Sequence, residues 1–228
     1  MTRPRLRHLF LDLDGTLVDP FEGITRSLAH ALEALGYPVP PRSELKTHIG
    51  PPLSDAFKSL LGTSEEAILR LAINAYRERY SQVGILENRV YDWIPETLHA
   101  LRANGIDLHL VTSKPAVYAG RVLEHSGLAA SFETVHGPDL DEIHLQKSVL
   151  VRRALDAGAM APSSAALAGD RGVDLDAARE NGVFSIGVMW GYGTREELGT
   201  ADSLVDSPSE LLARVRELAH GRNLDATD

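Results

Sequence analysis

The sequence contains no cysteine, which rules out both disulfide bonds and thiol chemistry and fits a cytoplasmic protein. Positive charge is scarce: 23 lysines and arginines face 32 aspartates and glutamates, for a net charge of −9. A balance of that sign excludes non-specific binding to nucleic acid or to an anionic membrane surface, both of which need a basic face. Any anionic substrate must therefore be held by a local cluster of cations. Long apolar runs are missing too, and no window reaches the length of a membrane span. The basic start Met1-Thr-Arg-Pro-Arg-Leu-Arg7 lacks a cleavage signal, and the apolar run behind it holds Asp12 and Asp14, so it reads neither as a leader nor as an anchor. Repeats and low-complexity segments are absent. The nine histidines have no metal-ligand spacing and read as structural or surface residues.

What remains is a chain of 228 residues with 43% apolar and 24% charged side chains, enough for one large domain or a core with a modest insertion. It is organised around Phe10-Leu-Asp-Leu-Asp-Gly-Thr-Leu-Val-Asp19. The apolar run Leu9 to Leu13 turns polar at Asp14-Gly15-Thr16, as a buried strand does when it ends in a turn. Two carboxylates two residues apart at a strand's carboxyl edge repel each other unless a cation sits between them or one is protonated.

Downstream, Glu22 to Leu35 carries apolar residues at helical spacing and closes at Gly36, with Pro38, Pro40 and Pro41 as a rigid connector. A second helix is expected over Leu53 to Leu61. A third runs from a capping box Thr63-Ser-Glu-Glu66 to about Gln82. Residues 20–89 thus read as all-helical, inserted directly after the first strand. From Asp92 the pattern alternates: helix Pro95–Asn104, strand Ile106–Val111, a helix from Pro115 to His125, strand Glu133–His136, helix Lys147–Ala157. Strand Ala165–Ala168, helix Val173–Asn181, strand Val183–Val188 and helix Ser209–Leu218 follow, with a loose tail after His220. Strands alternating with helices mean an α/β fold with a doubly wound parallel sheet. The core comprises 1–19 and 90–228, and the helical segment 20–89 forms a lid.

The chemistry-bearing residues sit at strand ends. Strand one ends with Asp12 and Asp14, the strand 106–111 with Thr112-Ser113-Lys114, and the strand 165–168 with Gly169-Asp170, followed by Asp174. Lys147 opens the preceding helix. In a parallel sheet these ends share one edge, so the groups converge. Taken alone, Thr112 could be a helix cap, Lys147 a solvated residue, and Asp170 and Asp174 companions of a helix N-terminus. Together, carboxylates, a hydroxyl and a lysine suit phosphoryl transfer, with oxygens of Asp12 and Asp170 and the Asp14 carbonyl making a magnesium site. Phosphate-monoester hydrolysis asks for acceleration of up to about 10²¹-fold, close to 30 kcal/mol of barrier. General acid–base catalysis supplies only about 10²–10⁴-fold, so a nucleophile, a metal and a fixed cation must share the remainder.

The set Asp12-Leu-Asp-Gly-Thr16, Val111-Thr-Ser-Lys114, Lys147 and Gly169-Asp-Arg-Gly-Val-Asp174 resembles the four motifs of the haloacid-dehalogenase-like hydrolases, in order and over nearly the whole chain. The resemblance implies a Rossmann-like core with an inserted helical cap domain. It implies Asp12 as the nucleophile that forms an aspartyl-phosphate, and Asp14 as the acid that protonates the leaving oxygen and then activates water. Thr112 and Ser113 would hold phosphate oxygens, Lys147 would neutralise charge, Asp170 would bind Mg2+, and Asp174 would act behind it. Gly15, Thr16, Lys114 and Gly50 are carried along as substrate-binding positions and Gly169 as a supporting one. Asp14, beside negative groups, is pushed toward protonation, which separates the roles of the two acids. Its presence favours phosphoryl transfer over carbon–halogen cleavage.

Gly50-Pro-Pro-Leu53, Thr112-Ser-Lys-Pro115 and Val188-Met-Trp-Gly-Tyr-Gly193 look like the phosphoglycolate-phosphatase-like group. Pro51-Pro52-Leu53 stands where a sugar-phosphate mutase places a basic residue. The segment Asp141-Glu-Ile-His-Leu-Gln-Lys147 lacks an arginine common in relatives, and His144 is the candidate replacement. Gly191-Tyr-Gly193 reads as a tight turn after the last strand rather than a nucleotide loop. The expectation is a magnesium-dependent phosphatase for a small phosphomonoester, 2-phosphoglycolate first, a nucleoside 5′-monophosphate or a sugar phosphate as the alternative. A phospho-accepting signalling domain is the rival of another class, but such domains are about half as long, accept on a different strand and carry no helical insertion. The oligomeric state, monomer or homodimer, is left open.

Overall fold

The computed structural model describes residues 5–221 of the chain. At its centre lies β1 (His8–Leu11). Successive side chains of a strand point to opposite faces, and β1 is apolar on both because both are covered. Phe10 packs with Leu150, Val151 and Ala154 on one face, while Leu9 and Leu11 join the larger core on the other. Flanking β1 in parallel are β4 (Asp107–Val111) and β6 (Ala165–Gly169). Beyond them lie β5 (Thr134–His136), β7 (Phe184–Val188) and β8 (Ser203–Val205), giving the all-parallel order β5-β4-β1-β6-β7-β8. The chain leaves β1 toward one side of the sheet and returns to build the other, so a crevice opens at the carboxyl end of β1.

Helices α7 (Lys147–Ala157) and α8 (Gly172–Glu180) cover the Phe10 face. Helices α5 (Ile94–Ala103), α6 (Ala116–His125) and α9 (Pro208–His220) cover the other. This is the doubly wound α/β core that the alternating pattern implies. Strand β8 was not expected from the sequence; at three residues, two of them only partly buried, it is too short to carry a period. The loose tail expected after His220 falls almost wholly outside the described residues.

Between β2 (Val18–Asp19) and β3 (Arg89–Val90) run α1 (Phe21–Ala34), α2 (Arg42–Leu45), α3 (Leu53–Leu61) and α4 (Glu66–Gln82). The two short strands pair antiparallel, Val18 with Val90 and Asp19 with Arg89, where the chain leaves and re-enters the core. Helix α1 packs along α4 through Leu28, Leu32, Leu69 and Ile73. Gly23 lets the turn after α4 close on α1: a Cβ there would lie 2.1 Å from the Gly84 carbonyl oxygen. The expected capping box at Thr63 does not form. Thr63 Oγ1 instead accepts from the Glu65 N–H at 3.1 Å, and the Glu66 carboxylate is drawn away to Arg70 and His144, at 2.8 and 2.9 Å. Among the described residues no helix is long and apolar enough to cross a membrane.

One buried histidine links the sheet to pH. His109 on β4 is 4% exposed, with Nδ1 2.8 Å from Thr134 Oγ1 and Nε2 3.4 Å from His8 Nδ1. Burial, then the neighbouring His8, push His109 down to about 4. An unfolded histidine titrates near 6.5, so the unfolded chain binds this proton more readily. The stability concerned is complete above pH 6.5 and is lost as pH falls toward 4, by at most about 3 kcal/mol. In urea unfolding between pH 7 and 4, His109→Leu is expected to flatten the acid-side decline; an undiminished slope would contradict the assignment.

Candidate active site

The turn after β1 is tight. The Leu13 carbonyl accepts from the N–H groups of Leu17 and Val18 at 2.9 and 3.1 Å, and Gly15 N–H donates to the Val18 carbonyl at 2.8 Å. Gly15 has φ +85°, and a Cβ there would lie 2.1 Å from Asp170 Oδ2, so only glycine suits both the backbone and the space. This turn sets Asp12 and Asp14, both buried, side by side in the crevice.

Lys147, at the first position of α7, bridges two of the acids. Its Nζ stands 2.8 Å from Asp12 Oδ1 and also pairs with Asp174 Oδ1. Burial alone would lower the lysine's pKa, but Asp12 and Asp174 override it and hold it above the ordinary lysine value. Asp174 accepts from the Arg171 N–H at 3.0 Å through its other oxygen, which also closes the first turn of α8. Gly169 makes room for it, since a Cβ there would meet Asp174 Cγ at 2.2 Å.

Asp170, wholly buried, is fixed by the Thr16 hydroxyl at 3.3 Å and by the Tyr192 N–H at 2.8 Å. The loop after β7 is thus more than the tight turn its glycines suggested. A Cβ on Gly191 would lie 2.4 Å from both Asp170 Cβ and the Gly15 carbonyl, and Trp190 Nε1 donates to the Thr16 carbonyl at 2.9 Å. Burial, then the charges of Asp174 and Asp12, push the Asp170 carboxyl well above the usual carboxylate range. Burial raises Asp174 also, against the pull of Lys147.

Asp14 faces a different cation. Its Oδ2 lies 2.7 Å from Lys114 Nζ, which also donates to the Tyr80 hydroxyl at 2.6 Å and sits 4.6 Å from the Tyr80 ring centroid. Burial raises the Asp14 pKa, with Lys114 opposing, and its Oδ1 is buried with no hydrogen-bond partner. Both acids open on a cavity of about 70 Å³, together with Thr112, Ser113, Gly50 and Tyr118. Ser113 Oγ is likewise buried and unpartnered there.

The structure therefore brings together Asp12, Asp14, Thr112, Ser113, Lys114, Lys147, Asp170 and Asp174. Thr16 touches Asp170 rather than the cavity. His144, the candidate replacement for the absent arginine, is half exposed and bonded to Glu66 of α4. Sequence reasoning missed Tyr80, Arg77 and Arg171. The Arg171 guanidinium reaches the Ile49 and Thr47 carbonyls beside Gly50 and is anchored by Glu197 at 2.9 Å. No local pattern announces these three, because each depends on how the inserted helices sit over the sheet.

Asp12, Asp170 and Asp174 present carboxylate oxygens within 4.8 Å of one another. Three buried carboxylates answered by one lysine form a donor set suited to a hard divalent cation. Asp174 is engaged through both oxygens, by Lys147 and by the Arg171 N–H, and Asp170 through both, by the Thr16 hydroxyl and the Tyr192 N–H.

The chain is similar to known proteins along most of its length. The family described as haloacid dehalogenase-like hydrolase matches residues 9–188. A 5′-nucleotidase of Pseudomonas aeruginosa is 43% identical over 194 residues, 85% of this chain and 87% of its own. The tyrosine-protein kinase PtkA of Mycobacterium tuberculosis is 36% identical over 211 residues, 92% of this chain and 71% of its own. A crystal structure of a predicted phosphatase from Clostridium acetobutylicum, 36% identical, covers 94% of this chain and all of its own at a TM-score of 0.90. With the four motifs gathered at one edge of the sheet and a match across residues 9–188, the chain belongs to the haloacid dehalogenase-like hydrolases.

Proposed function

We propose that the protein is a magnesium-dependent phosphatase that hydrolyses a small phosphomonoester, 2-phosphoglycolate foremost, through an aspartyl-phosphate on Asp12. The observation that carries this reading is the single buried cluster in which Lys147 joins Asp12 to Asp174 beside Asp170. The relatives with phosphatase and nucleotidase names support the reaction class.

In the first step an Asp12 oxygen attacks phosphorus, the ester P–O bond breaks, and Asp14 gives its proton to the departing oxygen. In the second, Asp14 removes a proton from water, the water oxygen attacks phosphorus, and the Asp12 carboxylate is released with inorganic phosphate. The raised Asp14 pKa suits a group that must hold a proton before it gives one up. Thr112 Oγ1, the Ser113 N–H and Lys147 would hold the phosphoryl oxygens. Mg2+ held by Asp12, Asp170 and the Asp14 carbonyl would neutralise charge gathering on the phosphoryl group.

Residues 20–89 would serve as a cap domain over a core of 1–19 and 90–228. Tyr80 reaching Lys114 from α4 and Arg171 clasping the 47–49 backbone would draw it down and exclude bulk water. The similarity to a 5′-nucleotidase favours a nucleoside 5′-monophosphate as the second reading.

Asp12→Asn is expected to abolish turnover while circular dichroism stays native; retained magnesium-dependent activity would refute the nucleophile. Asp14→Asn should lower kcat on an alkyl phosphomonoester by about 10²–10⁴-fold. With an aryl phosphate, whose leaving group needs no proton, the same variant should release one equivalent per site in a burst and then stall. Equal steady turnover of both esters by this variant would show that Asp14 is neither acid nor base. Gly15→Ala should displace Asp170 and cost roughly 10²-fold or more in kcat, and a kcat within a few-fold of the parent would remove Asp170 from the site.

A further inference from the structure

Three cationic or basic side chains reach the cavity wall: Lys114, His48 and Arg77. Lys114 is already engaged, by Asp14 and by the Tyr80 hydroxyl. Burial and the nearby Arg171 lower the pKa of His48, which favours its neutral form. Arg77 is different. It lies on α4 one residue from Tyr76, whose ring stacks on that of Tyr80 at 5.2 Å, so it enters the site from the inserted helices. Its Nε is buried and has no hydrogen-bond partner. Tyr118 of α6 and Asp141 stand nearby, and burial lowers the guanidinium's pKa from its ordinary value.

A guanidinium offers five donors in a fixed planar fork suited to a carboxylate or phosphate. Burying one with a donor unanswered is costly unless an acceptor arrives. The phosphoryl end of a substrate is spoken for by Lys147, Thr112 and Ser113 at the sheet edge. Resting on the phosphatase reading above, we infer that Arg77 is the residue that binds a second anionic group, a carboxylate, on the leaving-group side of the substrate. The favoured substrate class is then a short phosphomonoester ending in a carboxylate. Specificity would follow from the unmet hydrogen bond: an ester lacking the second anion leaves the buried Nε of a half-buried guanidinium unpaired, which a site of this kind rejects.

The test is binding to the Asp12→Asn protein, which does not depend on turnover, measured by calorimetry in the presence of Mg2+. The probes are 2-phosphoglycolate and ethyl phosphate, a similar-sized ester without the carboxylate. The expected result is tighter binding of 2-phosphoglycolate, a preference that falls by about 10–100-fold in Asp12→Asn/Arg77→Gln. Ethyl phosphate affinity should be unchanged, and Arg77→Lys should restore part of the preference. If Arg77→Gln weakens both esters equally, or neither, Arg77 does not read the carboxylate. Equal binding of both esters before Arg77 is changed would overturn this inference alone. Binding of neither would overturn it together with the phosphatase reading.

Discussion

The ion pair on which the site depends is Lys147 between Asp12 and Asp174. All three groups are buried, and taking charges out of water is costly unless each is answered. Removing one partner of such a pair costs about 3–5 kcal/mol, because the other is left uncompensated. The lysine comes from α7, one acid from the end of β1 and the other from the first turn of α8, so one ammonium fixes the relative position of three elements far apart in sequence. It also leaves the cluster with more negative charge than one cation can balance. That excess suits the edge of this sheet to a hard divalent cation.

Close backbone approach is the second constraint. Gly15, Gly169 and Gly191 each stand where a Cβ would strike the side chain of Asp170 or Asp174. The turn after β1, the end of β6 and the loop after β7 are thereby packed closely against the two acids. With the Thr16 hydroxyl and the Tyr192 N–H also holding Asp170, its carboxylate has little freedom to turn. A geometry fixed before substrate arrives is what electrostatic catalysis needs.

The core and the first ring of site residues were legible in the sequence for a simple reason. Each motif is local, a strand end followed by a turn, and parallel strands must place those ends on one edge. Asp12, Asp14, Thr112 and Asp170 follow from that rule, and Lys147 opens the helix that leads into the next strand. The partners of Lys114 do not, because Tyr80 lies 34 residues upstream on a helix whose docking angle no periodicity encodes. Arg77 and Arg171 escaped for the same reason. The failed capping box at Thr63 shows the converse: a local signal was present, but Arg70 and His144 competed for the Glu66 carboxylate and won it.

Asp14 is held between two worlds, the sheet edge that carries it and the inserted helix whose Tyr80 grips its lysine partner. Asp14 and the inserted helices are in this way parts of one hydrogen-bonded chain. Beneath both lies the claim that the carboxylate cluster is built for a single divalent cation. Titrating the metal-free protein with Mg2+ in a calorimeter, beside Asp170→Asn, tests it most directly. The account predicts one ion per chain for the parent and loss of that binding in the variant; no binding to the parent, or undiminished binding to Asp170→Asn, would contradict it.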